Sequence, residues 1–305
     1  MHGGVEIHFL CKGAFKPLVE HNPYLSKVYA IDKSTNEVKA ELLAEEYHYV
    51  IDLHRNLRSA RVKAALKVLD FTVEKYNWQK WLLVNFGLNR MPKLHIVDRY
   101  MATLGQFGVS NDGAGLDYFL PEKGLPQRND LPESHRDGYV ALCIGAAHWR
   151  KRLRAQQYEA ICEKLMLPVI LLGGPQDKEL GESIAAKLGP GVINLAGTCS
   201  LHHSAWYVRE SSLVITPDTG LMHIAAAFKK PIISVWAATV PDFGMYPYLN
   251  ESLDLRVQAE HLSRRPCSKL GTRCKYKSCR CVDEIPLERI WEAANAHAEP
   301  ARSGL

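Results

Sequence analysis

Asp218-Thr219-Gly220-Leu221-Met222-His223 places a carboxylate, a hydroxyl, a glycine and an imidazole within six residues. The group lies between two apolar runs, Ser212–Pro217 and Ile224–Phe228, so it reads as a strand that stops, turns and enters a helix. The first N–H groups of a helix have no internal partner and sit at the positive end of its dipole. The amides of Thr219, Gly220 and Leu221 can therefore cradle an anion such as a phosphate. Gly220 lacks the Cβ that would hold a phosphate off the backbone. His223, three residues on, projects from the same first turn. The alternative is an Asp N-cap followed by a core histidine. The run Pro231–Trp236 completes a strand–helix–strand unit, with its turn at the carboxyl edge of a parallel sheet, where open α/β folds bind ligands.

Two other groups suit anions or metals. Arg55 and Arg58, three apart at the start of a helix after the strand Tyr49–Leu53, are placed to share a face and grip a carboxylate or phosphate. His95 and Arg99 are weaker candidates of the same kind. Cys267, Cys274, Cys279 and Cys281 crowd a basic segment and could hold a structural zinc. Their Cys-x6-Cys-x4-Cys-x-Cys spacing lacks the paired short knuckles of a strong zinc motif, so a plain cysteine-rich loop stays open. Cys11, Cys143 and Cys162 read as buried apolar residues.

The positioning elements alternate. In the first half the strands Val5–Leu10, Lys27–Ile31 and Tyr49–Leu53 are interleaved with helices over Val38–Tyr47, Leu57–Val68, Trp78–Phe86 and His95–Phe107. Gly108–Arg136, rich in Gly, Pro, Asp and Glu, reads as a linker with one short strand. A second set runs from the strand Gly138–Ile144 through Pro168–Leu172, Lys178–Leu188, Val192–Leu195 and Leu201–Glu210 to the turn at Asp218. Tyr158, Ile161, Cys162 and Leu165 mark one buried helix face, as do Leu287, Ile290, Trp291 and Ala294 in the helix Pro286–His297. This is an α/β chain with parallel, helix-covered sheets.

Length and composition agree. At 305 residues two domains are expected, and 47% hydrophobic with 23% charged residues is ordinary for a globular protein. A net charge of +5 suits anionic substrates or a lipid surface without pointing to nucleic acid. No apolar run approaches the ~18 residues of a membrane span, and Met1-His2-Gly3-Gly4 carries no signal peptide, so a cytoplasmic location is expected.

The stretch Val214–Tyr248, with Asn22-Pro-Tyr-Leu-Ser-Lys-Val28, Ile51–Ser59, Gly145-Ala-Ala-His148 and Leu172-Gly-Gly-Pro175, resembles glycosyltransferase family 9, the ADP-heptose:lipopolysaccharide heptosyltransferases. The resemblance implies a GT-B fold, two Rossmann-like domains facing across a cleft. Residues 1–135 would be the acceptor side, 136–285 the donor side, and 286–305 a helix crossing back to the first domain. It implies an inverting transfer of heptose from ADP-heptose to the anionic lipopolysaccharide inner core, with no cofactor and peripheral contact with the inner membrane. No Asp-x-Asp pair is present to hold a diphosphate through a divalent cation, so cationic side chains are expected in its place.

By the same resemblance Lys151 contacts the donor phosphates, while Arg150 stands where the family has a small hydroxyl residue. Asp218 is expected on sugar hydroxyls or orienting His223. Gly174 and Asp177 would contact the ribose, with Glu179 as the fallback carboxylate. Cys199 and Ser200 would line the adenine pocket, the alternative being a tight turn before a helix. The family opens with a strand and a Ser-x-x-Gly-Asp turn whose aspartate is the expected base. About 25 residues of that kind are not found at the start, and neither Asp32 nor Asp52 carries a glycine turn. The first domain is therefore expected to be incomplete and slow in transfer. The competing readings are a non-catalytic nucleotide-sugar-binding remnant and an enzyme using another donor sugar.

Overall fold

The alternation of apolar runs builds ten short strands among the described residues, every ladder parallel. The computed structural model describes residues 4–250, 252–276 and 278–302. Most of the Met1–Gly4 leader reading, and residues 303–305 of the C-terminal segment, lie outside them. The residues cluster in two compact units.

The first unit comprises the chain through Tyr76 with Leu94–Ala114 and Tyr118–Pro121. In it β1 (His8–Lys12) pairs with β2 (Lys27–Ile31), and β3 (Tyr49–Asp52) with β4 (Leu69–Thr72). A small core of Tyr29, Ile31, Val38 and Leu42 lies under α1 (Lys39–Ala44) and α2 (Leu57–Leu66). Asn56 and Ser59 form a capping box at the start of α2, and Lys67 ends the helix in a left-handed conformation. That stop frees Leu69–Thr72 to pair with β3, a strand not expected from the sequence.

The second unit takes Asn77–Lys93, Gly115–Asp117 and everything from Glu122. Thus α3 (Asn77–Phe86) belongs here, although it falls within the expected acceptor half. Its Leu83 packs with Val240 and Phe243. The helix expected over 95–107 is α4 (Ile96–Met101) continued as a 3-10 turn, in the first unit. The presumed linker holds no strand among the described residues, only a 3-10 turn and the short α5 (Glu133–Arg136).

The second unit's six strands are β5 (Val140–Cys143), β6 (Val169–Leu172), β7 (Val192–Asn194), β8 (Leu213–Pro217), β9 (Ile232–Trp236) and β10 (Asp254–Gln258). Their order is β10-β9-β8-β5-β6-β7. Every residue of β5, β6, β8 and β9 is buried, as near-continuous apolar runs covered on both faces should be. The cover includes α6 (Ala155–Lys164), α7 (Lys178–Leu188), α8 (Leu201–Glu210) and α9 (Gly220–Ala227). Tyr158, Ile161 and Cys162 of α6 face inward, with Leu165 packed beside them.

After the short α10 (Arg280–Asp283) comes α11 (Glu288–Arg302). It falls in the second unit. Ile290 and Ala294 join the core of the second unit, with Leu287 and Trp291 against it. Asn295 fastens the helix there, accepting from the Met166 amide at 2.9 Å and donating to the Lys164 carbonyl at 2.8 Å.

Candidate active site

The strand order reverses between β5 and β8, so the turns leaving their carboxyl ends part to opposite sides and open a crevice. The turn after β8 carries Asp218 to His223. The turn after β5 carries Gly145 to Lys151, the last three residues as a 3-10 turn. Topology alone therefore brings residues 67 positions apart to one place.

Lys151 Nζ donates to Asp218 Oδ2 at 2.7 Å, and Thr239 Oγ1, just past β9, donates to the same oxygen at 2.8 Å. The two charged side chains are only 15% and 10% exposed. Asp218 is therefore not the N-cap of α9; that position is Thr219. Its hydroxyl turns back to Thr216 Oγ1 at 3.1 Å, and it makes no side-chain cap bond to the helix. The first turn of α9 thus presents its amides without a side-chain cap. A Cβ added at Gly220, an exposed residue, would meet no atom within 4 Å, so its neighbours do not demand a glycine. Leu221 is half-buried beside it.

His223 is half-buried in the first turn of α9. Burial holds its imidazole below the ordinary 6.5; the Asp218 carboxylate opposes that shift and the Lys151 ammonium adds to it. A neutral ring beside an ammonium–carboxylate pair can accept or donate one hydrogen bond without adding charge. Next to Lys151, Arg150 lies over the Trp149 ring at 4.4 Å and donates to the Thr272 carbonyl at 2.7 Å, while its Nε is buried without a hydrogen-bond partner.

Several expected ligands are committed elsewhere. Asp177 is fully buried. It pairs with Arg152 and accepts from the Gly174 amide at 2.9 Å and from Gln176 at 3.1 Å. A Cβ at Gly145 or Gly173 would strike it at 2.3 or 2.9 Å. Asp177 is a strut between the loops after β5 and β6, with no free face for a ribose; Glu179, the fallback, is exposed in the first turn of α7. Gly174 spends its amide on that strut. Ser200 caps α8 by accepting from His203 N at 3.2 Å, and Cys199 is half-buried beside Thr198 in the turn that starts this helix.

In the first unit Arg55 and Arg58 are exposed but do not share a helical face. Arg55 precedes the N-cap Asn56 with φ +45°, so the i,i+3 relation fails. Asp52 is buried there. Burial pushes its carboxyl up, but hydrogen bonds from Arg55 N–H, Ser59, His54 N–H and Lys63 outweigh that and hold it below the ordinary range. Arg99 is also buried, bonded to the Leu94 carbonyl at 2.8 Å and set over the Tyr76 ring, and His95 caps α4. Neither is an exposed arm for an acceptor.

Two participants went unnoticed in the sequence. Thr239 is one; only its position just beyond a buried strand could have signalled it. The other is Arg265, whose guanidinium donates to the carbonyls of Trp236, Ala237 and Thr239 at 2.5, 3.0 and 2.9 Å. It pins the backbone that aims Thr239 at Asp218. Gly271, at φ +74°, completes the frame: a Cβ there would come within 3.2 Å of Lys151 Cγ.

The family model for glycosyltransferase family 9 (heptosyltransferase) matches residues 36–275. The chain is 26% identical to lipooligosaccharide heptosyltransferase 2 of Haemophilus influenzae over 257 residues, 75% of this chain and 73% of that one. It is 30% identical to lipopolysaccharide heptosyltransferase 2 of Escherichia coli over 164 residues, 48% of this chain and 47% of that protein. Among solved structures, a family 9 glycosyl transferase from Veillonella parvula superposes with a TM-score of 0.73 at 21% identity, covering 97% of this chain and 88% of that one. The E. coli heptosyltransferase WaaC with ADP superposes at 0.65 and 18% identity, covering 97% and 92%. The chain belongs to glycosyltransferase family 9; it is a glycosyltransferase with the GT-B fold.

Proposed function

We propose that this family 9 enzyme moves heptose from ADP-heptose to the inner core of lipopolysaccharide, inverting the anomeric carbon without a divalent cation in the chemistry. The observation that carries the reading is the Lys151–Asp218–Thr239 cluster beside the uncapped start of α9, at the point where strand order reverses. Such a place favours a nucleotide diphosphate: amides and a helix dipole on one side, an oriented ammonium on the other. The donor in the relatives named above supplies the sugar class.

In this reading the acceptor hydroxyl attacks the anomeric carbon from the face opposite the diphosphate. The new C–O bond forms as the sugar–phosphate bond breaks, the electron pair leaves on ADP, and the acceptor hydroxyl's proton passes to solvent water. Thr219, Gly220 and Leu221 amides and Lys151 take up the charge that grows on the leaving phosphate. A donor of this type, held in place before the reaction, is worth about 3–4 kcal/mol of barrier. Asp218 is a positioning residue: it holds Lys151 in one rotamer and keeps the site from becoming a permanent anion sink. His223, neutral near pH 7, contributes a hydrogen bond to the donor. Glu179 is the exposed carboxylate available to the ribose.

On the acceptor side, Arg55 edges an open hollow that it lines with Lys63, Thr72 and Glu74, and Arg58 lies exposed two residues into α2. Cations of this kind suit an anionic saccharide core. Among the described residues no helix is long and apolar enough to cross a membrane. Contact with the cytoplasmic face of the inner membrane would then be peripheral, and no nucleic-acid partner is invoked.

The test is calorimetry with ADP in the presence of chelator, followed by a transfer assay offering ADP-heptose and competing nucleotide sugars to a heptose-free core acceptor. Binding without added metal and transfer from ADP-heptose with inverted configuration are expected. ADP binding that requires a divalent ion, or preference for another nucleotide sugar, would overturn the corresponding part.

A further inference from the structure

Helix α3 carries its largest apolar side chains on the outside. Lys80 and Leu83 are buried, while Trp78, Trp81 and Phe86 are 64%, 45% and 63% exposed. Tryptophan is highly buried on average, as Trp206 and Trp236 are here. The three exposed rings form one ridge. Trp78 stacks on Trp81 with ring centroids 4.8 Å apart, and Phe86 meets Trp81 edge-on at 5.2 Å. Leu88, just past the helix, is exposed as well. Contiguous apolar surface of this kind marks an interaction site.

Whatever covers the ridge must also accept cations. Lys269 Nζ donates to Asn77 Oδ1 at the first residue of α3, and Lys275 Nζ donates to the Val84 carbonyl in its last turn. The loop 264–281 therefore lies along the helix, within the same unit. It contains seven lysines and arginines and no acid, and Asn77–Lys93 contains three and none. The oxygens that hold Lys269 and Lys275 are neutral, so these bonds cancel no charge. Asp242, which accepts from Asn89, offsets little of it. Inside, the loop is apolar. Cys279 and Cys281 are buried with Ala237, Ala259, Leu262 and Val282. No three of its four cysteine sulfurs lie within 4.8 Å of one another among the described residues, so they make no ligand set. Lys269, Arg273 and Lys275 are left on the outer side, with exposed Leu270 among them.

We propose that α3 and the basic loop seat this unit on the surface of an anionic lipid bilayer, with the rings among the headgroups and the lysines and arginines on lipid phosphates. Indole rings suit that boundary because it is apolar on one side and wet on the other, and the negative surface draws in the cations. A platform for sugars would keep its ring faces open. Here Trp78 and Trp81 each spend a face on the other, and Phe86 and Leu88 offer a sugar hydroxyl no partner. A second copy of the chain would set one basic face against another. The inference rests on the peripheral membrane contact proposed above and gives it a place. Calorimetry with ADP, done without lipid, tests the donor reading separately.

The experiment sediments the full chain with vesicles of phosphatidylcholine alone or with about one-third phosphatidylglycerol, at low and moderate salt. Binding to the anionic vesicles is expected, weaker in salt, with tryptophan fluorescence quenched by brominated acyl chains. Trp78→Ser with Trp81→Ser should lower the partition coefficient about 100-fold and remove most of the quenching. Its melting temperature should stay near wild type, since both side chains are exposed. Should that variant melt early, Trp78→Ser alone, at the most exposed ring, decides the matter with a loss of about 10-fold. Lys269→Gln with Lys275→Gln should lower binding about 25-fold, and only on anionic vesicles. Leu69→Ser, as exposed on β4 of the first unit, should bind as the wild type does. Wild-type protein that ignores anionic vesicles refutes the proposal, as does undiminished vesicle binding by the folded double-serine variant. A solution dimer that the double-serine variant breaks, or loss of lipid-free core saccharide with vesicle binding intact, would assign the ridge to another partner and overturn it.

Discussion

Lys151 has two possible partners, the donor phosphate and Asp218, and substitution can separate them. In Lys151→Met the ammonium is lost and Asp218 keeps only Thr239. The pair is mostly but not wholly buried, 15% and 10% exposed at 2.7 Å. Breaking an exposed pair costs about 0–1 kcal/mol and a fully buried one about 3–5, so about 2 kcal/mol is expected here. For a unit of this size that is a fall in melting temperature of about 4–8 °C. If Lys151 also grips the diphosphate, ADP loses a charge-assisted contact of about 1.5–3 kcal/mol, or about 10- to 150-fold in affinity. Asp218→Asn keeps the shape, removes a negative charge beside the phosphates and should tighten ADP while slowing transfer. The double variant Lys151→Met/Asp218→Asn decides the issue. It should recover most of the stability, because no charge is left unpaired, yet still bind ADP weakly. Melting curves and calorimetry on the four proteins close the cycle. Wild-type ADP affinity in the double variant would show that Lys151 is only the counter-ion of Asp218, and the donor reading of this turn would fall.

Gly220→Val should leave the melting temperature nearly unchanged, since no protein atom lies within 4 Å of the added Cβ, while abolishing ADP binding in calorimetry. Asp177→Ala should destabilise the second unit by about 3–5 kcal/mol, through an unpaired Arg152 and an orphaned Gly174 amide, yet ADP should still bind at low temperature; loss of binding in a folded variant would restore Asp177 to the ribose. His223 has a lowered pKa, so below its ordinary 6.5 the unfolded chain takes up more protons than the folded one, and stability falls as pH drops from that value. His223→Gln should flatten the decline of melting temperature on acidification; buried His135, shifted the same way, accounts for some of what remains.

Much of the second unit was legible because its signals are local. Lys178–Leu188 and Leu201–Glu210 carry a clean helical period, and β5, β6, β8 and β9 are short unbroken apolar runs, so burial and spacing agree residue by residue. Where a boundary depended on pairing, the sequence was a poorer guide. Leu69–Thr72 reads as the tail of a helix until Lys67 turns left-handed and β3 offers hydrogen bonds. Asp254–Gln258, with two charges in five residues, becomes an edge strand only because β9 lies beside it.

At the site the division is equally physical. The Asp218–His223 turn could be read directly, because strand, glycine and helix start are consecutive and their geometry follows from backbone chemistry. The identity of each side chain's partner could not. Asp177 and Asp218 are both carboxylates at strand ends, but one is buried against Arg152 as a strut and the other orients Lys151. Arg55 and Arg99 carry the same charge, but one ends in a left-handed turn in solvent and the other inside the first unit. The sequence determined which backbone segments turn, which faces are apolar and where a helix begins, because those depend on neighbours in the chain. Only the tertiary structure decided which charge meets which, and that Thr239 and Arg265 support the Lys151–Asp218 pair. Those outcomes depend on strand order and burial, which bring together residues whose separation along the chain carries no trace of the contact.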